Sequence, residues 1–599
     1  MTQATTEPGK SFHIDVGGAP QTTSRGSPSF PVRAAAFPPT GRVDLDAALK
    51  TLAATKDRWA RTPVRERIQV LGELVLGLQT VASRWVAACC DAKRIPQGSS
   101  RAGEEWGALA CVVRLCQRWK ESLSDIAARG TPRLPGPVAA RPDGQLVVRV
   151  FPDGLYDRAM FPGMTGELWL EPGTTRDQLE ARHAAVYRRA EPSGSVSLVL
   201  AAGNYANLAP GDILQKVFGD NCVVVMKTNP VNAYLGPLIQ EAFRSLVDRD
   251  VLRVVYGGAE EGAYLAEHEL VDELHLTGSD KTYDAIVFGP GEEGRRRKAE
   301  RAPRVTKPFS CELGNLSPVI VVPGPWSESE LAYQGEHIAS TLTLNGGFNC
   351  FNTRMIVQHR EWSQRQSLLD EVRRVLRQTP THNAYYPGAA EIHDRFVAAH
   401  PEAERLGEPA DGHLPWTLIP DVDPGRSDDL CFTSEPFCSL FSETALSAPG
   451  VPEFIDQAVR FVNESLWGSL TATILVHPRS LDDHKVAEAV DRAVANLRYG
   501  TVGVNLWGLM GFLFGTTTWG AFPGHQSHDI QSGSGTVNNT LMLPSVQKSV
   551  LRGPFVQKPK PLTFPSNRSA GKALERVLRF WGRPSPFGLL GVVAKVMRG

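Results

Sequence analysis

A single cysteine in an unusual loop is the first residue of this chain that could do covalent chemistry. Cys350 lies in the segment TLNGGFNCFNTR, residues 343–354, directly after two glycines that disfavour a helix. A cysteine thiolate is a nucleophile that can bond to a carbonyl carbon. More commonly, however, a free cysteine is a small buried apolar side chain. The residue type alone therefore leaves a catalytic and a structural interpretation open.

Two carboxylates and one amide could complete a site around such a thiol. Glu312 lies in CELGNLSP and Glu435 in TSEPFCS. A carboxylate beside a nucleophile can act as a general base. Asn204 follows an apolar run in SLVLAAGNYANLAP, where an asparagine commonly caps backbone groups in a turn. Each of these motifs is a weak signal when taken alone.

The composition is that of an ordinary folded protein. The 599 residues are 42% hydrophobic and 21% charged, and 64 basic residues balance 64 acidic ones. No global charge would therefore attract nucleic acid. The nine cysteines are scattered without a CxxC pair, so neither a disulfide framework nor a metal site is predicted. The N-terminus lacks the apolar core of a secretory signal, and we expect a cytoplasmic protein.

The middle of the chain predicts an α/β fold with a doubly wound parallel sheet. From residue 190 onward, helices separate short apolar strands, namely GSVSLVLAAG, CVVVMK, LRVVYGG and VDELHLTGS. Ligands of such sheets bind at the carboxyl ends of the strands, where Lys227 and the pair Gly278 and Ser279 lie. No GxGxxG follows the first strand, so the usual dinucleotide fingerprint is missing. A second α/β series contains SPVIVVPG, RMIVQH, SLTATILVHP and GTVGVN.

Two segments near the C-terminus are open to a membrane interpretation. Residues 499–524 carry no charge and are long enough to span a bilayer. Their glycines, threonines and proline make a poor helix, so we expect packed apolar loops that line a substrate entrance. Further on, Leu574, Val577, Leu578 and Trp581 form an apolar face opposite basic residues. That helix could make a weak contact with a membrane surface; docking on the chain's own core or on a second subunit is the favoured reading.

Taken together and in chain order, these motifs resemble the aldehyde dehydrogenase superfamily. The resemblance runs over most of residues 45–510. It includes the segments DRWARTPVRERIQVL, EPSGSVSLVLAAGNYANLAP, VVVMKTNPVNAYLGPLIQEAF, VVYGGAEEGAYLAEHELVDELHLTGS, the Glu312 and Cys350 motifs, VNESLWGSLTATI and YGTVGVN. Eight such motifs in the family's order are a strong signal.

The resemblance implies an NAD(P)-dependent oxidation of an aldehyde to a carboxylic acid. It assigns Cys350 as the nucleophile, Glu312 as the general base for thioester hydrolysis, and Asn204 with the Cys350 backbone N–H as the oxyanion donors. It also implies that NAD or NADP is bound by Lys227, Gly278, Ser279, Glu435 and Phe437.

The resemblance further implies a Rossmann-type cofactor domain, an α/β catalytic domain, a β-rich oligomerisation arm and assembly as a homodimer or homotetramer. The corresponding parts are a disordered N-terminus (1–40), N-terminal helices of the cofactor domain (41–130), the β arm (131–180), the NAD(P)-binding domain (181–311), the catalytic domain (312–510) and a C-terminal extension with an amphipathic helix (511–599).

Several positions depart from the family pattern. Pro230 replaces a glutamate that normally binds the adenosine ribose, which leaves NAD and NADP both open. Phe348 replaces a glutamine two residues before the cysteine, and with other aromatic replacements it hints at a bulky apolar substrate. Two alternatives also stay open: a coenzyme A-acylating enzyme that uses Cys350, and a non-catalytic scaffold that keeps the fold.

Overall fold

Two large β-sheets organise the chain. The structure is a computed structural model that describes residues 25–31 and 37–596. Within these residues one sheet has six strands and the other has eleven, and two further sheets have two strands each. Both large sheets are mixed, because antiparallel strands flank a parallel centre.

The six-stranded sheet contains the strands predicted between residues 194 and 279. Its order is β19-β8-β7-β4-β5-β6. Its strands are β4 (Ser195–Leu200), β5 (Cys222–Lys227), β6 (Leu252–Val255), β7 (Glu273–Thr277), β8 (Phe309–Glu312) and β19 (Gly533–Ser534). β4 to β8 run parallel, and every residue of β5 is buried. Such a continuous apolar run is typical of a strand covered on both faces.

The eleven-stranded sheet contains the second predicted series at its centre. Its order is β1-β2-β3-β21-β17-β16-β9-β10-β15-β14-β12. Its strands are β1 (Val138–Ala140), β2 (Leu146–Phe151), β3 (Thr165–Leu170), β9 (Val319–Val321), β10 (Met355–His359), β12 (Glu404–Leu406), β14 (Trp416–Ile419), β15 (Leu440–Leu446), β16 (Thr471–Leu475), β17 (Thr501–Val504) and β21 (Val546–Arg552). The two small sheets pair β11 (His382–Asn383) with β13 (His413–Leu414), and β18 (Trp519–Gly520) with β20 (Thr536–Val537).

Helices cover the two sheets. They are α1 (Arg42–Ala60), α2 (Val64–Lys93), α3 (Ala102–Arg129), α4 (Leu155–Met160), α5 (Arg176–Arg182), α6 (Leu208–Leu214), α7 (Gly236–Ala242), α8 (Arg244–Val247), α9 (Ala259–Glu267), α10 (Asp280–Val287), α11 (Gly291–Ala299), α12 (Glu328–Thr343), α13 (Arg365–Gln378), α14 (Ala389–Ala399), α15 (Leu430–Thr433), α16 (Val451–Glu464), α17 (His484–Asn496), α18 (Leu509–Phe514), α19 (Ala570–Gly582) and α20 (Pro586–Val596). The predicted break at Thr62 and Pro63 separates α1 from α2, because proline ends one helix and starts the next without needing a donor.

The predicted β arm joins the chain's own eleven-stranded sheet. β1 and β2 form an antiparallel hairpin, β2 pairs with β3, and β3 pairs with β21. Leu146, Val148 and Val150 of β2 are buried against Leu168 and Leu170 of β3. The role of this arm in an oligomer, and the division of the chain into six parts, stay predictions.

The C-terminal amphipathic helix packs on the chain's own core, as favoured from the sequence. α19 lies along α3, and its Val577, Leu578 and Trp581 side chains are buried in the core that also contains α2 and α3. The Gln117 amide of α3 donates to the carbonyl of Trp581 at 3.0 Å. Among the described residues, no helix is both long enough and apolar enough to cross a bilayer.

A short N-terminal segment crosses between the two sheets. Residues 25–31 are described, whereas residues 1–24 and 32–36 of the predicted disordered N-terminus lie outside the described residues. Gly26 forms a parallel bridge with Ser434, and its N–H donates to the carbonyl of Thr433 at 2.8 Å. Over residues 25–31 the structure therefore differs from the predicted disorder, because tertiary hydrogen bonds hold the segment.

Candidate active site

Cys350 lies in a tight loop that follows α12. Asn345, Gly346 and Gly347 all have left-handed backbone conformations, with φ angles of 53°, 65° and 89°. A Cβ atom on Gly347 would lie 2.3 Å from the carbonyl oxygen of Cys438. Only glycine fits this position, since any side chain would collide with the neighbouring backbone. The two glycines that made the segment a poor helix therefore turn the chain so that Cys350 faces the interior.

The Cys350 thiol is hydrogen-bonded to Glu312. The sulfur donates to Oε1 of Glu312 at 3.0 Å, and both side chains are buried. Glu312 is the last residue of β8, where Gly533 of β19 pairs with it. Burial raises the pKa of Glu312 to about 6, and the Trp519 side chain is a hydrogen-bond partner of its carboxylate. Burial and the neighbouring Glu312 charge raise the pKa of the Cys350 thiol well above its usual range. The Cys350 thiol thus donates its proton in a hydrogen bond to a carboxylate that could accept it.

Asn204 contacts the backbone of the cysteine loop. Its side-chain Nδ2 donates to the carbonyl of Phe348 at 2.9 Å. The backbone carbonyl of Asn204 accepts from Nδ2 of Asn345 at 3.0 Å and from the Tyr385 hydroxyl at 2.7 Å. These bonds connect the turn after β4 to the loop that carries Cys350. The structure therefore brings Asn204, Glu312 and Cys350 together.

A buried ion pair between α2 and α3 contacts the cysteine loop at Asn345. Lys93 of α2 donates to Glu105 of α3 at 2.6 Å and to Oδ1 of Asn345 at 3.0 Å. Both charged side chains are almost completely buried, with exposures of 3% and 0%. The sequence analysis missed this pair; its signal is a charge on the otherwise apolar face of each helix.

Arg354 clamps the other side of the loop. Its guanidinium donates to the carbonyl of Cys438 at 2.6 Å and to the carbonyl of Gly347. Arg354 is buried, and Cys438 is part of the Glu435 motif TSEPFCS. The contact therefore fixes that motif against the cysteine loop. This positioning role was also missed from the sequence.

The residues predicted to bind the adenosine half of a cofactor lie at the carboxyl edge of the six-stranded sheet. Lys227 ends β5, and its Nζ donates to the carbonyl of Gly257 at 2.9 Å. Burial lowers the pKa of Lys227 to about 8. The buried hydroxyl of Thr228 has no partner among the described residues. Gly278 and Ser279 follow β7, and Ser279 caps α10 by accepting from the N–H of Thr282 at 3.2 Å.

Glu435 and Phe437 lie on the other side, next to the N-terminal segment. Oε1 of Glu435 accepts from the N–H of Asn315 at 3.2 Å, and Oε2 accepts from the Ser27 hydroxyl at 3.1 Å. Burial raises the pKa of Glu435 to about 7. The ring of Phe437 lies 5.4 Å from that of Phe30. The predicted nicotinamide-side residues thus contact the N-terminal segment.

A large apolar cavity lies beside Glu312. Its volume is about 860 Å³, and its wall includes Glu312, Phe351 and Trp519. The charge-free segment 499–524 supplies Leu509, Phe512 and Leu513 to the wall. These three residues lie in α18, so the segment packs partly as a short helix and two short strands instead of loops alone. Its role in a substrate entrance stays a prediction.

The fold of this chain is similar to that of several solved structures. The two-sheet fold matches that of aldehyde dehydrogenases. One match is an NADP-dependent glyceraldehyde-3-phosphate dehydrogenase from Bacillus halodurans complexed with NADP, with a TM-score of 0.57 and 18% identity over 86% of this chain and 92% of that one. Another is an aldehyde dehydrogenase of Mycobacterium tuberculosis complexed with NAD⁺, with a TM-score of 0.58 and 18% identity over 85% and 92% of the two chains. The fold class expected from the sequence is confirmed.

Sequence similarity leads to the same family. The family model described as "Aldehyde dehydrogenase family" matches residues 166–389 of this chain. The N-succinylglutamate 5-semialdehyde dehydrogenase of Sphingopyxis alaskensis is 25% identical over 217 residues, which cover 36% of this chain and 38% of that enzyme. This match spans well under two thirds of the relative's length. Residues 166–389 are thus similar to the aldehyde dehydrogenase family at low identity, and most of the chain has the fold of aldehyde dehydrogenases.

Proposed function

We propose that this protein oxidises an aldehyde to a carboxylic acid with NAD or NADP, through a thioester on Cys350. The observation that carries the proposal is the 3.0 Å hydrogen bond between the Cys350 thiol and the Glu312 carboxylate. A thiol with a raised pKa needs an adjacent base to become a nucleophile, and Glu312 is positioned to take its proton.

In the first half of the reaction, Glu312 accepts the thiol proton while sulfur bonds to the carbonyl carbon of the aldehyde. The carbonyl π electrons move to oxygen, and we assign the second N–H of the Asn204 amide to this oxyanion, since its first N–H is bonded to Phe348. Collapse of the oxyanion would expel the aldehyde hydrogen as hydride and leave a thioester on Cys350. A nicotinamide held by Glu435 and Phe437 would supply the hydride acceptor.

In the second half, Glu312 acts as the base toward water. It first releases the thiol proton to solvent and then takes a proton from the attacking water. The new C–O bond forms as the C–S bond breaks, and Cys350 regains a proton. Because its pKa is about 6, Glu312 is a carboxylate at neutral pH and still basic enough for this role.

The chain's residues fit a nucleotide cofactor at the adenosine end of the site. The buried, partnerless Thr228 hydroxyl and the adjacent Lys227 lie at the carboxyl edge where such ligands bind. Pro230 in place of a ribose-binding carboxylate removes repulsion against a 2′-phosphate, which supports NADP beside NAD. At the nicotinamide end, Ser27 and Phe30 lie on Glu435 and Phe437.

The test is nicotinamide reduction by the purified protein with NAD or NADP and a panel of short, long and aromatic aldehydes. We expect absorbance of the reduced cofactor to appear and to vanish in Cys350→Ala. Bound cofactor without turnover across the panel would instead support the scaffold alternative. An absolute requirement for added coenzyme A, with an acyl-coenzyme A product, would support the acylating alternative.

A further inference from the structure

We propose that the substrate is an unbranched aliphatic aldehyde whose tail lies in the 860 Å³ cavity. This inference rests on the proposed function, because it assumes that the reacting aldehyde lies at Cys350 and Glu312. Binding pockets for small molecules commonly have volumes of about 300–1,000 Å³, so the cavity is at the large end of that range.

The cavity runs from Glu312, the hydrogen-bond partner of Cys350, to the C-terminal helices. Near Glu312 its wall contains Leu344, Phe351 and Phe512. At its far end the wall contains Val577 of α19 and Val593 of α20. The C-terminal extension, which lies beyond the resemblance to the family, therefore completes the part of the cavity farthest from the reacting sulfur.

Most charged side chains in the cavity wall have protein partners. Lys560 donates to Glu336 at 3.0 Å, whereas Lys558 is exposed to solvent. Arg114 donates to Asp157 at 2.9 Å and lies over the Trp581 ring. Arg101 donates to the carbonyl of Thr381 at 2.7 Å. Glu104 accepts from the N–H of Asn345 at 2.7 Å. With these charges bound elsewhere or exposed to solvent, apolar side chains dominate the wall, and a hydrocarbon tail suits it better than a polar one.

The test is the dependence of kcat/KM on chain length. With butanal, octanal and dodecanal we expect kcat/KM to rise by about fourfold per methylene buried, until diffusion limits the rate. Val593→Trp fills the far end of the cavity without touching the catalytic pair. It should lower kcat/KM for dodecanal at least tenfold and leave butanal unchanged, whereas the control Leu76→Trp, on an exposed face of α2, should change neither.

The outcomes separate this inference from the proposed function. Turnover of butanal with no gain for longer chains, or an equal effect of Val593→Trp on both substrates, would overturn the tail site and leave the oxidation intact. No turnover of any aldehyde by the wild-type enzyme would remove the proposed function itself. Leu574→Trp on α19 provides a second block, should Val593→Trp fail to fold.

A different observation carries a second inference, at the cofactor site. We infer that residues 25–31 compete with the nicotinamide half of the cofactor. The Ser27 N–H donates to Oδ1 of Asp280 at 2.9 Å, and its hydroxyl donates to Glu435 at 3.1 Å. Phe30 packs against Tyr386 and Phe437, with ring centroids 5.0 and 5.4 Å apart. The segment thus lies on two of the residues assigned to the cofactor.

Competition makes a defined prediction for binding. If the segment must leave Glu435 first, the apparent Kd is the intrinsic Kd divided by the fraction of open molecules. The variant Ser27→Ala/Phe30→Ala, which weakens the segment's contacts, should bind NAD or NADP at least fivefold more tightly by isothermal titration calorimetry. The control Ser124→Ala/Leu155→Ala, at exposed positions, should bind like wild type.

Hydrogen exchange provides an independent readout. Saturating cofactor should speed amide exchange at residues 25–31 of the wild-type protein. Weaker or unchanged binding by the double variant, or added protection of residues 25–31, would mean that the segment belongs to the cofactor site and does not compete. Absence of nucleotide binding by both proteins would remove the cofactor part of the proposed function.

Discussion

The Cys350 thiol and the Glu312 carboxylate, 38 positions apart in the chain, are joined by a hydrogen bond of 3.0 Å in a buried setting. Burial raises the pKa of both side chains, so each depends on the other as a hydrogen-bond partner. In the proposed reaction, Cys350 is the nucleophile and Glu312 is its base. This pairing generates the first three predictions.

Removing the sulfur should abolish oxidation without abolishing cofactor binding. We expect Cys350→Ala to reduce kcat to about a thousandth of wild type or less, because no other group forms the covalent intermediate. The measurement is nicotinamide absorbance under saturating aldehyde. Cys222→Ala, a buried cysteine of β5, is the matched control and should retain wild-type kcat. Full turnover by Cys350→Ala would refute the nucleophile assignment.

Replacing the base should slow both halves of the reaction. Glu312→Gln keeps the volume but cannot take a proton from the thiol or from water, so we expect a slower first burst of reduced cofactor and a steady rate about 10²–10⁴ times lower than wild type. Rapid mixing with absorbance detection measures both phases. Glu328→Gln, at the exposed start of α12, is the control. A wild-type steady rate in Glu312→Gln would exclude Glu312 from hydrolysis.

The pKa of Glu312 predicts the acidic limb of the pH profile. Since burial raises this pKa to about 6, the carboxyl is protonated, and inactive as a base, up to a higher pH than an ordinary glutamate. Steady-state kcat should therefore rise about tenfold per pH unit below pH 6 and level off above it. The profile between pH 5 and pH 8 checks this. An acidic limb that persists unchanged in Glu312→Gln would assign it to another group.

The turn before the cysteine depends on glycine for space, beyond its tolerance of a positive φ. Gly347→Ala would place a methyl group 2.3 Å from the Cys438 carbonyl oxygen, so we expect loss of activity and a free energy of unfolding lowered by about 2–4 kcal/mol. Gly144→Ala is a close control, because its φ is also positive, at 85°, but nothing lies within 4 Å. It should cost about 1–2 kcal/mol and leave kcat unchanged. Equal effects in both variants would show that backbone strain alone matters.

The buried ion pair behind the loop should be essential as a pair. Lys93→Met leaves the Glu105 charge buried without its cation, and we expect unfolding free energy to fall by about 3–5 kcal/mol in chemical denaturation. Lys93→Met/Glu105→Leu removes both charges and should recover most of that loss. Its kcat should remain below wild type, because Asn345 no longer receives the Lys93 hydrogen bond. If the double variant regained both stability and wild-type kcat, the ion pair would have only a structural role.

The sequence by itself determined the order of elements and the chemistry of the candidate site. Period-two and apolar runs marked β4, β5, β7 and the central strands of the larger sheet, since a buried parallel strand needs continuous apolar residues. The paired glycines marked the turn before Cys350, because few other residues accept its backbone angles. The motif order gave the resemblance to aldehyde dehydrogenases, and with it the three candidate residues that the structure brings together.

Only the tertiary structure decided which distant groups meet. The contact of Ser27 with Glu435 joins residues 408 positions apart, and no local pattern encodes such a distance. The same holds for Lys93 beneath Asn345 and for the apolar cavity, whose two ends come from β8 and from α20. Spacing and propensity act over a few residues along the chain, whereas a cavity or a buried ion pair exists only once separate elements have packed against each other.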